Sequence, residues 1–364
     1  MTTNADLWIR TPDQLQRLVD ELSGCRAIGL DTQVDSLHHY TEKVCVIQVA
    51  SADRVRLIDP LAVHELSPLA ALVADTAVVK VVHAGGTDVA SLRRDFGFTF
   101  RTLFDTAVAS RLLGEPEVGL HAMVRKELGV ELARGSQRED WSRRPLSEKQ
   151  EAHAVDDVAH LLPLAARLTA HLAAAERTEW AREEFTALAA VPAAESHNGP
   201  DEFRRIKGAE KLSRRQRAVL RELHVWREAR AAAADRPPFK IVGPDILLAL
   251  AAEPPADVAG VAVALASYRR QVGEAGAVFA AIARGLALPE EELPSRPAGE
   301  RPALPAAARQ RVDALRAWRE EEAERSHLDP SVVLTQRMVE RVAIAQPATL
   351  DQLAAVDGLR RWRV

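Results

Sequence analysis

The chain has 364 residues, 47% apolar and 27% charged, an ordinary globular balance with room for two or three domains, which excludes wholesale disorder and collagen-like or coiled-coil composition. A formal net charge of -4 and a pI near 6.3 argue, on average, against a nucleic-acid binder. Cys25 and Cys45 are too few for a disulfide framework or a Cys-only zinc site, and neither a basic-then-apolar leader nor an apolar run of about 18 residues is present, so the expectation is a cytoplasmic protein without membrane spans.

The first half alternates strand and helix signals. Residues 26-34 (RAIGLDTQV) and 44-50 (VCVIQVA) are β-rich runs around a polar turn, the pattern of a hairpin, and 55-59 (VRLID) adds a third strand. A helix-like stretch at 65-75 precedes VVKVVHA at 78-84, apolar enough for a buried strand. A helix at 87-95, a short FTF strand at 98-100 and helices at 105-113, 119-128 and 147-171 complete this half. Strands joined by crossover helices imply an α/β domain, a mixed sheet with helices on both faces.

Beyond about residue 175 the strand signal vanishes and Ala, Arg, Glu and Leu dominate. This helical part repeats itself. LRELHVWREARAAA at 220-233 aligns with VDALRAWREEEAER at 312-325, pairing Trp226-Arg227-Glu228 with Trp318-Arg319-Glu320 at an offset of 92, and the same offset joins Pro255 to Pro347 and Val261 to Leu353. Two copies of one helical module follow. The stretch 289-305 between them holds five prolines and several charges, the composition of a semi-rigid linker. The second copy is expected to be truncated.

Asp31 and Gln33 share one face of the first strand, because strand side chains alternate with a period of two. Asp35 is two further on. Asp88 follows a strand and the pair Gly85-Gly86 where a helix begins, and His153 and Asp157 project to one side of a helix. Carboxylates from a strand, a helix start and a late helix suit a hard divalent ion such as Mg²⁺ or Mn²⁺. Bland readings compete with each residue: an N-cap for Asp88 and for Asp105, a solvated face for Asp156 and Asp157, a turn for Asp35 and a structural role for His153.

The segments IGLDTQ, VVHAGGTDVASLRRDFG, LFDTAVASRLLG, GLHAMVRKELGVEL, REDWSRRPLSEKQ and HAVDDVAHLLPL, in this order, resemble ribonuclease D of the tyrosine branch of the DEDD 3'-5' exonuclease superfamily. The helical copies resemble the HRDC modules that follow that nuclease domain. The resemblance implies a ribonuclease H-like exonuclease domain at 1-175, a connecting segment at 176-205, a first HRDC module at 206-288, the Pro-rich linker at 289-305 and a second HRDC-like module at 306-364.

It also implies chemistry: hydrolysis of the 3'-terminal phosphodiester with two divalent metal ions, Asp31 bridging both, Asp157 on the ion that activates water, and Asp88 acting on the second. Two positions depart from the family pattern, which has Asp-x-Glu where Gln33 stands and Tyr-x-x-x-Asp where His153 stands. An amide keeps an acceptor oxygen but loses a charge, so Gln33 is expected to weaken the metal sites. His153 has a pKa range suited to a general base, although imidazole reaches less far than phenol.

The charge is unevenly spread. Residues 203-230 carry ten Lys or Arg against three Glu, a local charge of +7, with Arg214, Arg215 and Arg217 central to it. A second basic cluster surrounds the DW-x-x-RPL stretch and includes Arg138, Arg143 and Arg144. Both are expected to contact phosphates in a sequence-independent, salt-sensitive way, the competing reading being solvated helices paired with Glu. Trp141, Trp226 and Phe239 are the available aromatic stacking partners, against a core-packing role for each. Three functions remain at this point: an attenuated 3'-5' exoribonuclease acting as a monomer on single-stranded or tRNA-like RNA 3' ends, a pseudonuclease that binds such ends, and a DNA-directed or protein-interaction role of the helical modules.

Overall fold

A computed structural model of the chain describes residues 4-133, 139-194, 199, 201-268, 271-295 and 305-364. The chain divides into two compact units, one of Met1–Val34, Lys43–Ala194 and Leu304–Val364, the other of Asp35–Glu42 and Glu195–Ala303.

The first unit is built on a six-stranded sheet: β1 (Trp8–Ile9), β2 (Ala27–Val34), β3 (Val44–Ala50), β4 (Val55–Ile58), β5 (Val79–Val82) and β6 (Leu103–Asp105), in the order β1-β4-β3-β2-β5-β6. The pairs β4-β3 and β3-β2 are antiparallel and the other three parallel, so the expected hairpin and mixed sheet are present. Helices α1 (Asn4–Leu7), α2 (Pro12–Leu22), α3 (Ser67–Ala74), α4 (Gly86–Phe96), α5 (Thr106–Leu112), α6 (Leu120–Leu128), α7 (Glu148–Ala159), α8 (Leu161–Ala174) and α9 (Thr178–Ala189) follow the strands. Leu15, Leu18 and Leu22 of α2 and Leu69 and Leu72 of α3 pack with Ile28 and Leu30 of β2 on one face. Val158 and Leu161, at the α7-α8 junction, pack with Ala50 and Val81 on the other.

Two expectations need correction. The 147-171 helix is two helices, ending at Ala159 and restarting at Leu161. Pro163 explains the break: it has no N–H to return to the carbonyl of Ala159, and it is tolerated only in the first turn of a new helix. The FTF segment forms no strand; Phe98 and Phe100 are buried from a loop that begins after Gly97, whose left-handed φ of 68° closes α4, and the strand lies at β6. Helix α2 adds an element with no earlier counterpart, although Thr11-Pro12-Asp13-Gln14 is a capping box with proline in the first turn.

Gly29 positions the site. It faces the α7-α8 junction, where an added Cβ would meet Val158 O at 3.2 Å and Ala50 Cβ at 3.3 Å. This close approach lets α7 lie against β2, so that Asp31, next on the same face, sits under the helix that carries Asp157.

The second unit contains α10 (Arg214–Ala233), α11 (Pro244–Ala252), α12 (Val258–Ala264) and α13 (Ala275–Ala287) around a core that includes Leu220, Leu223, Leu247 and Ile282. Residues 35-42 join it, with His39 Nδ1 at 2.7 Å from Asp235 Oδ2. The first unit closes with α14 (Ala306–Ser326), α15 (Pro330–Val333), α16 (Gln336–Ala345) and α17 (Leu350–Ala354). The offset of 92 carries Arg214 to Ala306, Pro244 to Gln336 and Val258 to Leu350, the first residues of matching helices. The last residues hold to α9: Trp362 stacks on Trp180 at 4.6 Å, and Arg363 pairs with Glu184 at 2.6 Å. Among the described residues no helix is long and apolar enough to cross a membrane.

Candidate active site

A cleft of about 850 Å³ opens where β2 ends beside the start of α4, with α7 along its side. Asp31, Gln33, Asp88, His153 and Asp157 all line it. The cleft thus brings together five residues that are scattered over the sequence. Crossover connections explain the convergence, because the parallel β2-β5 pair directs the loop after β5 toward the carboxyl end of β2.

Each side chain has a local reason for its position. Gly85, not Asp88, is the N-cap of α4, and a Cβ on Gly85 would lie 2.5 Å from Val82 Cγ2, so only glycine permits the turn. Asp105 is the cap that was expected of it, accepting from Ala107 N at 2.8 Å. It also accepts from Gly85 N at 2.9 Å, fixing the turn before α4. Asp88 is thereby left to reach β2, where its Oδ1 accepts from the Thr32 amide at 3.1 Å and from the Thr32 hydroxyl. The Ser147-Gln150 capping box starts α7, which carries His153 and Asp157 into the cleft one turn apart.

Gln33 Nε2 lies 2.9 Å from Asp157 Oδ2 and 3.3 Å from Asp31 Oδ2. His153 Nε2 is 3.6 Å from the same Asp157 oxygen, its ring centroid is 6.0 Å from that of Trp141, and its buried Nδ1 has no hydrogen-bond partner among the described residues. Loss of hydration raises all three carboxyls. Asp31 is pushed well above the usual carboxylate range, with Asp88 and Asp157 adding repulsion. Asp88 is pushed up to about 6 despite its bonds from Thr32, and Asp157 is raised although His153, His121 and Gln33 oppose the shift.

Three carboxylates that resist ionisation, in a cleft whose described lining contains no Lys or Arg, fit a divalent cation by charge and by donor type. The arrangement is not a finished cage: among the described residues no three His, Cys, Asp or Glu side chains stand ready to hold an ion. The carboxylates also set a pH dependence. The folded protein holds the Asp88 proton up to about pH 6, whereas an unfolded chain releases it near pH 4, so stability without metal falls as pH rises between these values. A bound cation reverses that loss. Stabilisation by Mn²⁺, measured as a thermal shift, is expected to be larger at about pH 7 than at about pH 5; an equal shift would place the ion away from these carboxylates.

Among the lining residues that sequence reasoning missed are the polar Thr32, His83, Glu117 and His121. His83 Nδ1 lies 2.8 Å from Thr106 Oγ1, and burial lowers its pKa. Both histidines stand in segments that carry the resemblance (VVHAGG and GLHAMV), but a lone histidine gives no signal of which way it points.

The proposed phosphate contacts fare differently from the carboxylates. The Arg144 fork binds Asp59 through Nε at 2.6 Å and Nη2 at 2.8 Å and also donates to Cys45 O, so this arginine is a structural tie, not a free phosphate ligand. Arg217 is buried and donates to Leu212 O and Ser295 O, which corrects it likewise. Arg214 and Arg215 pair with Glu290 at 3.4 and 3.3 Å and keep exposed edges. Arg143 is 81% exposed and pairs with Asp140 at 3.0 Å, and Arg138 lies outside the described residues. Trp141 is core, Trp226 is partly buried against the core of the second unit, and Phe239 is exposed.

Comparison with known proteins places this geometry in context. A 3'-5' exonuclease family matches residues 7-173, and the HRDC domain family matches 216-280 and 308-364. A ribonuclease D of Pseudomonas paraeruginosa is 32% identical over 98% of this chain and 94% of its own length, and one of Acidiphilium cryptum is 33% identical over 92% and 86%. The crystal structure of Escherichia coli RNase D, described as an exoribonuclease involved in structured RNA processing, superposes with a TM-score of 0.74 at 27% identity, over 92% of this chain and 89% of that one.

Proposed function

The chain belongs to the ribonuclease D family of 3'-5' exoribonucleases, and from that premise we propose that it trims single-stranded or tRNA-like RNA from the 3' end with an active site slower than the family pattern allows. The observation that carries this reading is the meeting of Asp31, Asp88 and Asp157 in one cleft without a Lys or Arg in its described lining. The superfamily depends on divalent metal, and the ions proposed here are Mg²⁺ or Mn²⁺ at two positions. Cytoplasmic location and a monomeric state complete the proposal.

The residues divide the work. Asp31 and Asp157 would hold the ions, and Asp88 would act on the second ion while its Oδ1 is anchored at Thr32. Divalent cations bound there supply Lewis-acid polarisation of the phosphodiester and a lowered pKa for water. His153, whose Nε2 lies 3.6 Å from Asp157 Oδ2, would orient the attacking water and accept its proton. Gln33 supplies no charge, which is the reason for a reduced rate.

A second reading, binding of RNA 3' ends without cleavage, is favoured by one observation: the Gln33 amide sits between two of the three carboxylates. One assay separates the two. With 5'-labelled RNA and Mn²⁺, an exonuclease gives a ladder shortening from the 3' end, and Gln33→Glu is expected to quicken it by about 10-fold or more. RNA that stays intact yet bound supports the second reading. A ladder unchanged by Gln33→Glu removes attenuation from the first.

A further inference from the structure

Gln33 does more than subtract a charge. Both groups facing its amide are aspartate carboxyls, and the amide turns its NH₂ toward them, each accepting from it. Its Nε2 reaches Asp157 Oδ2 at 2.9 Å and Asp31 Oδ2 at 3.3 Å. Oε1, the one Gln33 side-chain atom able to ligate a cation, is then the atom that faces neither carboxylate. The amide nitrogen lies between Asp31 and Asp157 and so stands in the way of a cation that would bind both.

We propose that Gln33 is a latch on the metal position: in the metal-free protein its amide nitrogen lies between the two carboxylates that would hold the cation, and a divalent ion enters only as the amide swings away and gives up both hydrogen bonds. The inference rests on reading the cleft as a metal site. It goes further by making Gln33 a competitor of the ion, where loss of a ligand charge alone would make it a feeble ligand. The two descriptions predict opposite effects when the amide is removed. A feeble ligand, once deleted, leaves weaker binding. A latch, once deleted, leaves tighter binding.

The test is an electron paramagnetic resonance titration of the full chain with Mn²⁺, without RNA, on wild type, Gln33→Ala and Gln33→Met; methionine keeps the length of the side chain and guards against collapse of the site. The latch predicts that both variants bind Mn²⁺ about 5-fold or more tightly than wild type, since hydrogen bonds to charged groups no longer have to be broken. It also predicts that both have lower melting temperatures in EDTA, where the carboxylates lose the amide that bridges them. Equal or weaker Mn²⁺ binding overturns the latch and leaves the exonuclease reading untouched. If Gln33→Glu also fails to bind Mn²⁺, the metal-site reading falls together with the latch.

Discussion

Replacing Asp31 with asparagine is expected to reduce release of 3' nucleotides by at least about 100-fold, since the loss of even a supporting residue around a metal ligand costs on the order of 10- to 100-fold. The same change is expected to make the metal-free protein more stable. Loss of hydration and the neighbouring Asp88 and Asp157 push the Asp31 carboxyl well above its ordinary pKa, so its charge burdens the fold at neutral pH and a neutral amide relieves it. Opposite signs in the two measurements are the mark of a residue kept for chemistry at a cost to stability. Rates on labelled RNA with Mn²⁺ and melting temperatures in EDTA would measure the two. A variant that melts lower and keeps its rate would show that Asp31 serves the fold, and it would remove the bridging role proposed for it.

The carboxylates were legible in the sequence because each stands at a position whose local geometry has a rule: Asp31 and Gln33 by strand alternation, Asp88 by the turn before a helix, His153 and Asp157 by the helical period. Their convergence needed the resemblance, because no local rule connects residue 31 to residue 157. What stayed hidden depends on rotamers and long-range partners. The Gln33 amide meets Asp157 across 124 residues of sequence, and Thr32 meets Asp88 across 56, so neither bond could be anticipated from spacing. Helix boundaries failed for a related reason: 147-171 reads as one continuous run of helix-forming residues, and the missing N–H of Pro163 outweighs that run.

Charge was the least transferable signal. Residues 203-230 carry +7, yet Arg217 is spent on the carbonyls of Leu212 and Ser295, while Arg214 and Arg215 are drawn to Glu290. Counting basic residues records how many guanidiniums a segment has, but not how many are already satisfied by the fold. Fewer guanidiniums are therefore open to the phosphate contacts proposed for this chain than the sequence suggests, and Arg143, exposed near the start of α7, is the candidate the fold engages least.

Arg144 gives this distinction its strongest test. Its fork grips Asp59, which is 2% exposed, while other donors reach Trp141 O at 2.8 Å and Cys45 O at 2.7 Å, and the guanidinium lies 5.5 Å from the centre of the Trp8 ring. Deleting Arg144 leaves the buried Asp59 carboxylate, among the described residues, with only the distant Arg10 at 4.0 Å and the Leu61 amide, so Arg144→Ala is expected to destabilise the protein by about 3 kcal/mol, the lower end for a broken buried pair. Arg144→Lys is expected to recover little, because an ammonium cannot reproduce a planar two-point grip. The damage would reach the active site, since Arg144 lies three residues before the Ser147 cap of the helix that carries His153 and Asp157. A phosphate contact would behave otherwise: its loss would weaken RNA binding and flatten the salt dependence by about one ion, with stability unchanged. Urea denaturation and RNA binding at two salt concentrations separate the cases, and an unchanged urea midpoint with a flatter salt slope would return Arg144 to the nucleic-acid surface.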